Sequence, residues 1–150
     1  MRVLLIEDHP LKQAHVIGLL QDKFPDVDIT SKNSYISGLR ELIRNFVDYD
    51  LLLLDISMPN YDISSLESGG DWMPLAGKKV LKEMYLREIP TKAIVVTMHG
   101  SFDDGTRIAD LDNSLKNEFS ENYIGYVFYS QISEDWKQKL TELIEKVSND

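Results

Sequence analysis

Three carboxylates stand where short apolar runs end: Glu7 and Asp8 after Val3 to Ile6, and Asp55 after Leu51 to Leu54. Runs of that length and character read as strands buried on both faces. If the two strands are neighbours, the acids converge at one sheet edge. Like charges held that close either stay partly protonated or share a cation. An all-oxygen cluster suits Mg2+, which takes one or two carboxylates plus phosphate oxygens and keeps several waters. A carboxylate beside such a metal can attack a phosphoryl group and become an aspartyl phosphate. Thr97, after the apolar run Ala93 to Val96, offers a hydroxyl to a phosphoryl oxygen. Singly, each acid reads as a solvated turn residue and Thr97 as a strand residue. Together at one edge they read as a site. His9, His15 and His99 read as surface or capping residues, and Trp72, Trp136, Tyr126 and Tyr129 as packing residues.

The elements that would position these groups follow from the pattern. After the first strand, Leu11 to Phe24 has Leu11, Ala14, Ile17 and Leu20 at helical spacing and is stopped by Pro25. Val27 to Thr30 is a weak second strand. Asn33 or Ser34 can cap a second helix with an apolar stripe of Ile36, Leu39, Ile43 and Phe46. Leu51 to Leu54 is the third strand. Ala76 to Arg87 reads as a helix with Val80, Leu81 and Met84 inward, and Ala93 to Val96 as the fourth strand. A helix is expected around Arg107 to Phe119 and a last strand over Ile124 to Tyr129. Ser133 then caps a final helix whose apolar face is Trp136, Leu140, Leu143, Ile144 and Val147. Glu134 and Asp135 in its first turn and Lys146 in its last suit the helix dipole. Strands apolar all round and alternating with helices imply an α/β fold with a parallel sheet covered on both faces. Ligands of such sheets bind outside the carboxyl ends of the strands.

The chain has 150 residues, which suits a single domain over 1–150. Its formal charge of −9 disfavours direct binding to nucleic acid or to an anionic membrane. There is no cysteine, so disulfides, thiolate catalysis and cysteine zinc sites are excluded. The first apolar run is too short for a signal peptide, and no stretch is long enough to span a membrane, so a cytoplasmic location is expected. Asn60 to Leu75, with Ser64, Ser65, Ser68, Gly69, Gly70 and Pro74, lacks periodicity and is long for a loop of this kind. It reads as a lid or mobile surface loop.

Val3-Leu4-Leu5-Ile6-Glu7-Asp8-His9-Pro10 resembles the opening of bacterial response-regulator receiver domains. Leu51-Leu52-Leu53-Leu54-Asp55-Ile56-Ser57-Met58-Pro59 resembles their phosphorylation loop, Ala93 to Thr97 the strand that ends in a hydroxyl residue, and Gly125-Tyr126-Val127-Phe128 their last strand. The likeness covers nearly the whole chain in the right order. It implies a flavodoxin-like (βα)5 three-layer sandwich with a five-stranded parallel sheet in the order 2-1-3-4-5. It also implies a phosphoacceptor at Asp55, Mg2+ held by Glu7, Asp8, Asp55 and the Ser57 carbonyl, a phosphoryl contact from Thr97, and a switch aromatic at Tyr126. A histidine kinase or phosphotransfer protein would supply the phosphoryl group, and a downstream protein would read it. Any enzymatic activity would be limited to phosphorylation and dephosphorylation of Asp55 itself.

The chain also departs from that family. Tyr129 and Ser130 stand where relatives carry a lysine, which bonds the phosphoryl group, and a proline. A tyrosine can donate a bond but brings no positive charge. Between Arg107 and Lys137 the only basic residue is Lys116, so no nearby compensation is expected. Met98 replaces a small residue and is expected to crowd the site or gate it. The usual glycine after the Met-Pro pair matches Gly77, 22 residues past Asp55, against about eight in typical receivers, which makes the 60–75 segment an insertion. The stretch from Thr97 to Tyr129 is also about ten residues longer than usual. These departures leave a second reading, a receiver-like interaction module that works without phosphorylation. A dehalogenase-type phosphatase would need an acid at Ser57, and a flavin site would need a phosphate-cradling loop where Asp8-His9-Pro10 stands.

Overall fold

The computed structural model describes residues 1–64, 69–100 and 105–149. In chain order the elements are β1 (Arg2–Ile6), α1 (Pro10–Lys23), β2 (Asp28–Lys32), α2 (Tyr35–Asn45), a short 3-10 turn (Phe46–Asp48), β3 (Leu51–Leu54), β4 (Met58–Pro59), β5 (Trp72–Met73), α3 (Ala76–Leu86), β6 (Lys92–Thr97), α4 (Ile108–Glu118), β7 (Tyr123–Phe128) and α5 (Asp135–Ser148). Five strands form one parallel sheet in the order β2-β1-β3-β6-β7. This is the expected 2-1-3-4-5 arrangement, with the numbering displaced by the small β4–β5 ribbon.

Successive strand residues face opposite sides, and the two cores divide accordingly. Leu4, Ile6, Leu52, Leu54, Ala93 and Val95 pack against α2, α3 and α4 through Leu42, Val80, Met84 and Leu111. Val3, Leu5, Leu51, Leu53, Ile94 and Val96 pack against α1 and α5 through Val16, Leu20, Trp136, Leu140 and Ile144. Both faces of the sheet are therefore dry, which is why its central strands are uniformly apolar.

The faces of α3 and α5 are the expected ones, with Val80, Leu81 and Met84 and with Trp136, Leu140 and Ile144 buried, whereas those of α1 and α2 differ. In α1 the buried residues are Lys12, Val16, Leu19 and Leu20, while Leu11 is 45% exposed and Ala14 is also exposed. In α2 the buried centre is Gly38 and Leu42, with Ile43 and Phe46 on its flank. Ser34, rather than Asn33, caps α2, its hydroxyl accepting from the Ser37 amide at 3.2 Å. In α5 the residue preceding the helix is Glu134, and Ser133 reaches only the Asp135 amide, at 3.3 Å.

The segment read as a lid or mobile surface loop over 60–75 is closed at its base by an antiparallel ribbon, with Met58 opposite Met73 and Pro59 opposite Trp72. Asn60 and Tyr61 extend it by amide bonds to the Asp71 and Gly69 carbonyls. Ser65 and Ser68 lie outside the described residues. Trp72, expected to pack, is 50% exposed on this ribbon.

Candidate functional site

β1 and β3 lie side by side with Ile6 opposite Leu54, so residues 7, 8 and 55 leave the sheet at the same edge. The Asp55 amide donates to the Ile6 carbonyl at 3.3 Å, continuing the pairing one residue further. Glu7 and Asp55 are buried and Asp8 is half-buried.

The positive charge of this site comes from Lys12. Its Nζ lies 2.6 Å from Glu7 Oε2 and 2.7 Å from Asp55 Oδ2, and donates to the Val96 carbonyl at 2.6 Å. An ammonium has three protons, so these three acceptors saturate it. The other carboxylate oxygens are also engaged. Glu7 Oε1 accepts from the His9 amide at 3.1 Å, and Asp55 Oδ1 accepts from the Ile56 amide at 2.6 Å. Burial pushes the Glu7 carboxyl up to about 7, with Lys12 opposing the rise and Asp55 adding to it. Burial also raises Asp8. For Lys12, burial works against the charge, but Asp55 and Glu7 outweigh it and hold the group above its ordinary value.

Local structure explains how a lysine arrives there. His9 caps α1, its ring nitrogen accepting from the Lys12 amide at 3.4 Å, and Pro10 opens the first turn, where a missing N–H costs nothing. That fixes Lys12 on the inward face, beside the two strand ends. Sequence reasoning missed Lys12 because it centred the apolar stripe on Leu11. Centring the stripe on Lys12 instead gives Lys12, Val16, Leu19 and Leu20, which also fits helical spacing and would have placed a lysine in the core.

The remaining expected residues are distributed around this centre. Thr97 ends β6, the neighbour of β3, and is fully buried; its hydroxyl accepts from the His99 amide at 3.2 Å. Ser57 is buried two residues past Asp55. Gly77 packs α3 onto the turn after Asp55, where an added Cβ would lie 2.6 Å from the Asp55 carbonyl oxygen. Met98 is half-buried against the core shared by Tyr129 and Trp136. Tyr126 is half-buried in β7, with Lys139 Nζ 4.3 Å from its ring centre. Tyr129 lies just beyond β7, 1% exposed, packed on Trp136 with ring centres 4.9 Å apart. Its hydroxyl shares a 2.6 Å hydrogen bond with His15 Nδ1, and Lys12 Nζ is 6.0 Å from its ring centre. The Tyr129 ring, at the position where receiver domains usually carry a lysine, thus stands beside Lys12 of α1.

The donor set of Glu7, Asp8, Asp55 and the Ser57 carbonyl is all hard oxygen and fits Mg2+ in kind. In the arrangement described, Lys12 spans two of the acids, and no group of three carboxylate or imidazole side chains among the described residues is gathered as a metal cage.

No protein-family profile matches the chain. It is 31% identical over 152 residues to the Detocs response regulatory protein DtcB of Enterobacter cloacae, covering 99% of each chain. This chain belongs to the response-regulator receiver family. The receiver is also 32% identical over 143 residues to the uncharacterised protein y4jR of Sinorhizobium fredii, covering 91% of this chain and 92% of that one. A response-regulator receiver domain from Clostridium thermocellum shares its fold at a TM-score of 0.65 and 20% identity, covering 99% of the receiver and 94% of that chain. Among the described residues of the receiver, no helix is long and apolar enough to cross a membrane.

Proposed function

We propose that the chain acts as one receiver unit, with 60–75 as an insertion, and takes a phosphoryl group on Asp55 as its signal. The observation that carries this reading is the buried carboxylate edge: Asp55 ends β3 beside Glu7, with its Oδ2 held by an ammonium. An Asp55 carboxylate oxygen attacks the phosphorus of a phosphohistidine on a histidine kinase or phosphotransfer protein. The O–P bond forms as the P–N bond breaks, and the departing imidazole nitrogen keeps the electron pair and takes a proton from solvent. Glu7, Asp8, Asp55 and the Ser57 carbonyl would hold Mg2+, which when bound screens the charge of the incoming group. The Thr97 hydroxyl donates to a phosphoryl oxygen, and Tyr126 changes rotamer in response. Output passes to another protein in the cytoplasm, without direct contact to nucleic acid and without insertion into a membrane.

Intact-protein mass spectrometry after incubation with Mg2+ and acetyl phosphate tests this. One phosphoryl adduct is expected on the wild-type chain and none on Asp55→Asn. Adduct persisting on Asp55→Asn would overturn the assignment. A folded wild-type chain that takes none, beside a typical receiver that does, would favour an interaction module that works without phosphorylation.

A further inference from the structure

We propose that Lys12, entering from the first turn of α1, does the phosphoryl-binding work of the lysine that this chain lacks at position 129. The proposal rests on the reading of Asp55 as phosphoacceptor and adds a residue to it. Lys12 Nζ is 2.7 Å from Asp55 Oδ2, so a phosphoryl group on that carboxylate lies within reach of the same flexible side chain. An aspartyl phosphate carries about two negative charges at neutral pH where the carboxylate carried one, so phosphorylation adds about one negative charge to a site that is already acidic. The site already carries Glu7 and Asp8, and Lys12 is the one lysine or arginine among the described residues that the core buries.

A structural ion pair alone is a poor reason to keep it there. Replacing a whole buried ion-pair set by apolar residues of similar volume is often neutral or stabilising, so fold stability alone does not require Glu7, Lys12 and Asp55 together, although removing Lys12 alone would leave two buried carboxylates facing one another. Lys12 follows the Val16, Leu19 and Leu20 stripe, where a methionine would pack along the same face. What the lysine supplies and a methionine would not is a mobile cation on the acceptor. The surroundings of position 129 agree. Tyr129 is packed on Trp136 and tied to His15, one turn beyond Lys12 on α1, and its ring stands 6.0 Å from Lys12 Nζ. An aromatic side chain there walls the site and leaves Lys12 as its cation. Exchange of Lys12 from Glu7 to a phosphoryl oxygen would change the anchoring of the first turn of α1, which gives this helix direct knowledge of the state of Asp55.

The test is binding of beryllium fluoride, a non-transferable phosphoryl mimic, to the full chain with Mg2+ by calorimetry, beside titration with Mg2+ alone. Lys12→Gln is expected to weaken the mimic about tenfold or more, while Mg2+ alone binds at least as tightly as to wild type because its carboxylates are released. The double variant Lys12→Gln with Tyr129→Lys is expected to recover most of the mimic affinity. Unchanged mimic affinity in Lys12→Gln overturns the proposal and leaves Asp55 as acceptor. Parallel loss of mimic and Mg2+, without rescue by Tyr129→Lys, overturns it in favour of a structural role. A wild-type chain that binds no mimic, beside a typical receiver that does, overturns both this proposal and the reading of Asp55. Should Lys12→Gln fail to fold, nitrogen NMR of the lysine ammonium groups in the wild-type chain decides the matter. The Lys12 signal must move when the mimic is added, and an unmoved signal overturns the proposal.

Discussion

Lys12 occupies a position that a core-facing helix ordinarily gives to leucine or valine, and its ammonium is fully bonded to Glu7, Asp55 and the Val96 carbonyl. Replacing it with methionine keeps most of the stem packing but leaves two buried carboxylates facing one another. We expect Lys12→Met to lose about 3 kcal/mol in urea unfolding without metal, a loss reduced by protonation of Glu7, whose carboxyl burial already holds up to about 7. Added Mg2+ should stabilise Lys12→Met more than wild type. Equal stabilisation of the two would show that Lys12 and the metal do not share the same carboxylates. The acids of this site were legible because each follows an uninterrupted apolar strand. Lys12 was not, because a lysine beside Leu11 reads as the solvated neighbour of an apolar residue. Here the chain exposes the leucine and buries the lysine. Tyr129 was legible as a departure, but not as the partner of His15, since no sequence pattern links residues of α1 to the end of β7.

At the scale of elements, the strands were legible and the helix faces only partly so. A strand buried on both sides announces itself by composition, whereas a helix face depends on a phase that one misplaced apolar residue can shift, as Leu11 and Ile36 did. The α5 face, with Trp136, Leu140 and Ile144, had no such ambiguity. Gly77 is where two elements meet the site, its amide donating to the Ile56 carbonyl at 2.8 Å. A methyl group there would strike backbone rather than a movable side chain. Gly77→Ala is therefore expected to cost about 1–3 kcal/mol by overpacking and to slow labelling of Asp55 by acetyl phosphate. Wild-type stability and labelling would contradict the contact. The ribbon after β4 is anchored at a different place. Asp62 Oδ1 accepts from the Ser34 and Ser37 hydroxyls at 2.7 and 2.8 Å, and the Ile36 amide donates to the Asn60 carbonyl at 3.0 Å. Asp62→Ala should lower stability by about 1 kcal/mol and speed hydrogen exchange at the start of α2. Unaltered exchange at Ser37 and Gly38 would mean the carboxylate does not hold that turn.

For the whole molecule, the order β2-β1-β3-β6-β7 matters because it sets the β1 and β3 ends side by side and brings β6 next to them. Residues 7 and 12, from the β1–α1 junction, 55 from the end of β3 and 97 from the end of β6 come from three separate parts of the chain, and this strand order gathers them at one edge. The alternation of strands and helices made a parallel sheet covered on both faces legible, and the strand order followed from the resemblance to receiver domains. The size of the segment between β4 and β5 was legible too, but not its ribbon base, since β4 and β5 are two residues each and show no alternation. Tyr61, Ile63 and Trp72 on this segment are all about half exposed or more. The ribbon base and the Asp62 contacts hold its ends, so deleting residues 65–68 while keeping that base should leave Asp55 labelling intact and change stability by less than about 1 kcal/mol. A large loss in urea unfolding would show that its centre is part of the core structure.

Borohydride trapping of the acetyl phosphate product, followed by peptide mapping, tests the central claim most directly. It reduces an acyl phosphate and marks the residue that carried it. The account predicts a single reduced residue at Asp55, absent without phosphodonor. Reduction at any other residue, or none in a folded chain beside a typical receiver that is marked, would contradict it.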